Sequence, residues 1–138
     1  MERKEFLKLT MALAGASVVP ATLLNSCKKT SYSGPSNVNF TIDLTNSTYA
    51  SLNSVGGSYT NPIGVIVICT AANTWVALSN SCTHEGCAIN YSASASQLIC
   101  PCHSGKFSTT GAVISGPPPS ALTSYKVSKT GNTLTITS

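Results

Sequence analysis

Charge is scarce in this chain: Asp, Glu, Lys and Arg make up 9% of 138 residues, and past residue 26 only Asp43 and Glu85 are acidic. The net charge of +4 includes Arg3, Lys4 and Lys8 near the N-terminus. The remaining lysines, Lys28, Lys29, Lys106, Lys126 and Lys129, form no run long enough for a nucleic-acid patch and read as solvated surface. Past the N-terminal segment no amphipathic helix of useful length is visible, and no internal repeat is evident. The apolar stretch Leu9 to Leu24 has sixteen residues, is interrupted by Gly15 and Pro20, and falls short of a bilayer span, which needs about 20. What remains is enough chain for one small domain.

That N-terminal segment is an address. A basic start, the apolar stretch and a short polar tail ending in Cys27 have the layout of an export signal over residues 1–26. Leu24-Asn25-Ser26-Cys27 resembles a bacterial lipobox, which would make Cys27 the lipidated N-terminus of the mature protein. Glu2 to Lys8 resembles a twin-arginine signal with Lys4 in place of the second arginine, so the twin-arginine and general secretory routes both stay open. The expected location is therefore a membrane, on its periplasmic side. Low charge and six cysteines in so short a chain fit an exported protein. Residues 27–37, polar and rich in turn formers after the cysteine, read as anchor site and flexible linker.

The domain proper is expected over residues 38–138. Val38, Phe40, Ile42 and Leu44 alternate with polar residues, the pattern of a strand with one buried face. Ile63 to Ile68 forms an apolar, β-branched run that suggests a strand buried on both faces. A turn at Ala72-Asn73 leads back into Thr74 to Leu78, and Ser124–Ser128 and Thr133–Thr137 flank a hairpin turn at Gly131-Asn132. The fold class is all-β, a sandwich or small barrel of about eight to ten short strands. Trp75, Tyr125 and Cys69 fall in strand patterns and read as core.

Four cysteines and both histidines lie within the twenty-two residues from Cys82 to His103. Cys82-Thr83-His84-Glu85-Gly86-Cys87 offers Cys-x-His, and Cys100-Pro101-Cys102-His103 offers Cys-x-x-His. Each run can bring one thiolate and one imidazole to a shared centre, a donor set that suits an iron-sulfur cluster or zinc. Finger-like zinc sites pair cysteine with cysteine and histidine with histidine, whereas each run here pairs unlike ligands and leaves two cysteines over.

The two runs resemble the signature of the Rieske iron-sulfur proteins, C-T-H-x-G-C followed by C-P-C-H. The resemblance implies one 2Fe-2S cluster held in two loops, with Cys82 and Cys100 on one iron and His84 and His103 on the other. It implies a disulfide between Cys87 and Cys102, and a third loop, Gly116 to Pro119, closing over the cluster. Two ferric ions, two sulfides, two thiolates and two neutral imidazoles carry no net charge, so an added electron is accepted more readily than by an all-thiolate cluster. Potentials accordingly run from about −150 to +300 mV, against about −400 mV for plant-type ferredoxins.

Three residues depart from the quinol-oxidising members. Gly105 stands where a serine, and Phe107 where a tyrosine, would donate hydrogen bonds to cluster sulfurs, and their absence should lower the potential. Glu85 replaces a leucine often found at the docking tip, and its carboxylate opposes reduction.

The resemblance implies one-electron transfer by a membrane-anchored subunit of a quinol-oxidising complex, with cytochrome b or c-type partners and menaquinol as the donor that suits a lowered potential. The alternatives are a stand-alone periplasmic carrier, the small subunit of a molybdenum oxidoreductase such as arsenite oxidase, with a molybdopterin subunit as partner, or a zinc-binding module. None of these makes the chain a complete enzyme.

Overall fold

A computed structural model describes residues 32–138; the expected export signal over 1–26 and Cys27 lie outside the described residues. Ten strands run in the order β1 (Asn39–Asp43), β2 (Ser58–Asn61), β3 (Val65–Ala71), β4 (Thr74–Ser79), β5 (Asn90–Ser92), β6 (Gln97–Ile99), β7 (Lys106–Ser108), β8 (Val113–Ser115), β9 (Ser124–Thr130) and β10 (Thr133–Thr137). All pairings are antiparallel. Six strands form one sheet in the order β1-β10-β9-β4-β3-β2, and β5 to β8 form a second in chain order. The all-β expectation holds, with ten short strands.

The second sheet is an excursion from the first. β4 and β9 are neighbours, with Ala77 opposite Tyr125 and Leu78 opposite Ser124, so the chain leaves the large sheet after Ser79 and returns at Ser124. Everything between, including both ligand runs, is inserted between those two neighbouring strands.

β3 explains how the excursion is seated. Its residues Val65, Ile66, Val67 and Ile68 are all buried, as the β-branched run implied. The alternation of side chains along a strand divides them. Val65 and Val67 join Ile42, Leu52, Leu134 and Ile136 in the core of the large sheet. Ile66 and Ile68 join Leu78, Leu98, Phe107, Cys82 and Cys100 in a second core beneath the small sheet. At about 1.5–3 kcal/mol for each fully buried aliphatic side chain, the second core anchors the small sheet through hydrophobic burial.

Two features differ from the sequence expectation. β3 begins at Val65 rather than Ile63, because Asn61 closes a turn with its Oδ1 accepting from Ile63 N at 2.9 Å and its carbonyl accepting from Gly64 N at 2.9 Å. Between β1 and β2 lies a short 3-10 helix, Ser47–Asn53, capped by Asn46, whose Oδ1 accepts from Thr48 N at 2.9 Å. Its Leu52 is fully buried, and its carbonyl accepts a bond from Trp75 Nε1 at 2.9 Å. No helix among the described residues is long and apolar enough to cross a membrane.

Candidate metal centre

The two ligand runs form loops closed in the same way. In the first, between β4 and β5, Cys82 N donates to Cys87 O at 2.8 Å, and Ser81 and Ala88 form a bridge at its base. In the second, between β6 and β7, Cys100 N donates to Gly105 O at 2.8 Å. In each, the cysteine amide reaches the carbonyl five residues on, which requires a tight reversal. That reversal falls on the residue four past each cysteine, Gly86 at φ 75° and Ser104 at φ 58°. A left-handed backbone is natural for glycine and uncommon for serine. The likeness of the two half-sites in sequence thus has a backbone counterpart.

Thiols and imidazoles are layered. Cys82 is 1% exposed and Cys100 2% exposed, both set in the second core. Above them His84 is half-buried and His103 exposed, with ring centroids 4.9 Å apart and planes at 79°. Burial pushes the Cys82 thiol above its ordinary pKa, and Cys100 beside it pushes the same way, while the backbone amides of His84 and Glu85 oppose the shift by favouring the thiolate. A thiol raised in this way, as Cys82 is, gives up its proton more readily once a cation takes up the charge.

The donor set fits a two-iron group: sulfur donors together on a dry floor and nitrogen donors together at the rim. A disulfide joins Cys87 to Cys102 and so ties one loop to the other, which leaves Cys69, Cys82 and Cys100 as the free thiols among the described residues. Among the described residues the donors within 4.8 Å of one another are Cys87, Cys100 and Cys102 in one group and His84, Glu85 and His103 in another, and Cys82 stands outside both; Cys69 is buried on β3, its thiol raised by burial.

The third loop is seated on both ligand loops. Pro118 is buried against Gly105 of the second. Thr83, between the first cysteine and histidine, is 3% exposed and its Oγ1 donates to Ser120 O at 2.7 Å. Sequence reasoning singled out the Gly-Pro stretch but not Thr83, whose burial has no local signal. Glu85 and His103, both exposed, meet across the loops, with Oε2 3.5 Å from Nδ1. Phe107 is fully buried in the same core as the two cysteines. Lys106 is exposed, as read.

The stretch read as a linker to Asn37 includes residues that make specific contacts. Residues 32–35 lie on the domain, with Tyr32 N donating to Thr83 O at 3.2 Å, Gly34 N to Thr123 Oγ1 at 3.2 Å and Tyr125 Oη to Pro35 O at 2.8 Å. A run of turn-forming polar residues has no period that would distinguish a tether from a segment pinned by distant partners.

Comparison with known proteins agrees with this geometry. The family model described as "Rieske [2Fe-2S] domain" matches residues 39–126. The cytochrome b6-f complex iron-sulfur subunit of Chlorobaculum thiosulfatiphilum is 37% identical over 71 residues, 51% of this chain and 39% of that protein. The chain thus spans about two fifths of the length of that curated relative. Among solved structures, the plasma membrane Rieske protein PetC3 from Synechocystis PCC 6803 superposes with TM-score 0.53 at 30% identity, covering 59% of this chain and 84% of that one. A chain of a hyperthermophilic respiratory Complex III shares the fold, with TM-score 0.52 at 24% identity over 94% of this chain and 90% of that one.

Proposed function

The chain belongs to the Rieske 2Fe-2S family, and from that premise we propose that it is the electron-transfer subunit of a membrane quinol-oxidising respiratory complex, anchored on the periplasmic side by a lipid on Cys27. A Rieske domain binds a 2Fe-2S cluster and transfers electrons one at a time through it. In the proposed assignment Cys82 and Cys100 hold one iron, and His84 and His103 the other. The contrast in burial supports the assignment: two buried thiols, and two more exposed imidazoles with ring centroids 4.9 Å apart.

The roles of the chain's own residues follow. Leu98, Phe107 and Ile89 keep the thiol floor dry. The histidines stand at the surface, where a redox partner can reach them, and each keeps one ring nitrogen for a proton when the other is a ligand. A quinol gives up both electron and proton, so it suits such a rim. Gly105 and Phe107 bring no hydroxyl to the site, which favours a lowered potential and menaquinol as donor, with cytochrome-type subunits as partners.

One observation favours a second reading. The exposed Glu85 carboxylate, 3.5 Å from His103, occupies the tip that would enter an apolar quinone pocket. It suits docking to a protein instead, as in a periplasmic carrier or the small subunit of a molybdenum oxidoreductase.

Electron paramagnetic resonance of the reduced full-length protein tests the centre. The expected spectrum has an average g below that of all-cysteine clusters; an all-cysteine average, or silence with stoichiometric zinc, sinks the assignment. Mass spectrometry of the mature N-terminus should find acylglyceryl-modified Cys27, and an intact residue 1–26 segment would defeat the anchor. Purification from native membranes separates the two readings: a cytochrome b partner with menaquinol-dependent reduction supports the first, a molybdopterin subunit the second.

A further inference from the structure

Residues 32–35 bind the face of the domain that carries the first ligand loop. The Tyr32 ring covers Gly86: a Cβ built there would lie 2.9 Å from Tyr32 Cδ1 and 3.3 Å from Cγ. The same residue's amide donates to Thr83 O at 3.2 Å. Two residues on, Gly34 is pressed so closely onto the domain that a Cβ would fall on the Tyr125 hydroxyl and the Ser79 side chain. Its amide bonds Thr123 Oγ1, and Tyr125 Oη holds the next carbonyl, that of Pro35. Thr123 and Tyr125 flank the start of β9, so the strap is pinned to the large sheet at one end and to the ligand loop at the other.

We propose that this strap positions the first ligand loop, with Tyr32 as the positioning residue. Thr83 is gripped from two sides, its carbonyl by the strap and its hydroxyl by Ser120 of the third loop. It lies directly between Cys82 and His84, so the two grips fix the backbone that presents both. Covering Gly86 with an aromatic ring also shields the reversal at φ 75°, where Gly86 N donates to Cys82 O at 2.8 Å. Glycine is needed at 86 on two counts, its backbone angle and the ring above it. The inference rests on reading Cys82 to Cys87 as a ligand loop.

Hydrogen exchange of the full-length protein, read over residues 82–87, tests the strap without relying on redox activity. Tyr32→Ala should speed exchange at the Cys82 and Gly86 amides about five- to tenfold, the scale expected for loss of one or two modest local contacts. Gly34→Val, which lifts the strap without touching the loop, should do the same, and the double variant should do no more than the larger single. Tyr32→Phe should stay native, and iron release to a chelator should rise in parallel with exchange. Unchanged exchange in β1 and β10 identifies folded variants; should Gly34→Val fail to fold, Tyr125→Phe frees the strap at Pro35 instead. Native protection of residues 82–87 in Tyr32→Ala and the strap-lifting variant, or additive effects of the two, would overturn the proposal. A wild-type protein without iron would defeat the cluster assignment, whereas the exchange result would still decide the strap.

Discussion

Pro118 occupies the space that a side chain on Gly105 would need: a Cβ at Gly105 would lie 2.6 Å from Pro118 Cγ and 2.9 Å from Cδ. The ring is stiff and buried, so it cannot swing aside as a flexible side chain would. The missing serine and the seated third loop are one packing decision. Gly105→Ser alone should displace the loop and destabilise the protein by about 1–3 kcal/mol, the usual cost of overpacking. Gly105→Ser with Pro118→Gly should recover part of that loss in a thermal melt, and equal melting temperatures for the two would contradict the contact.

Phe107 is the second position that lacks a hydroxyl, and its ring is fully buried. Phe107→Tyr places an O–H donor in the core shared with Cys82 and Cys100. One net hydrogen bond to a sulfur, about 1 kcal/mol, corresponds to roughly 40 mV for a one-electron couple. Protein-film voltammetry should show a rise of that order, and a fall would mean that the hydroxyl points away.

Glu85→Gln removes the negative charge facing His103. A surface pair interacts by about 1 kcal/mol at 4 Å in water, which caps the rise in potential near roughly 40 mV. Because the carboxylate is exposed, the difference between variant and wild type should shrink as salt is added. A salt-independent difference would point to a rearranged loop instead.

The Cys87–Cys102 disulfide closes a separation of 15 residues between the two ligand loops. Constraint of an unfolded loop of that length contributes about 3 kcal/mol. Cys87→Ser should lower the melting temperature accordingly and hasten loss of iron, with the ligand residues intact. Unchanged iron retention would refute the brace.

Asp43 gives a small acid dependence. The Thr45 hydroxyl and amide donate to its Oδ1 and hold its pKa below the ordinary 3.8. A depressed native pKa means that the contribution is present above about 3.8 and is lost as pH falls through the native value. The residue is fully exposed, so the effect is slight. Asp43→Asn should melt with less change than wild type between neutral pH and pH about 3, the range over which a carboxylate takes up its proton.

Much of the framework was legible in the residues because it is local. Alternation from Val38 to Leu44, the β-branched run into Ile68, the turn at Asn73 and the hairpin around Gly131 each depend on neighbours two or three positions apart. The 3-10 helix at Ser47–Asn53 escaped notice because seven residues with one buried position carry no readable period.

Within the centre, the ligand types and their spacing set the donor chemistry, since sulfur and imidazole fix what can be bound wherever the chain places them. Only the tertiary structure decided that the thiols are buried with Ile66 and Ile68 of β3 and that the two histidine rings lie side by side. The same holds for Thr83 between strap and third loop, Pro118 on Gly105, and Gly34 bonded to Thr123 across 89 positions. Such contacts join segments whose separate sequences carry no mark of one another, and they exist because the chain leaves the large sheet at Ser79 and returns beside itself at Ser124.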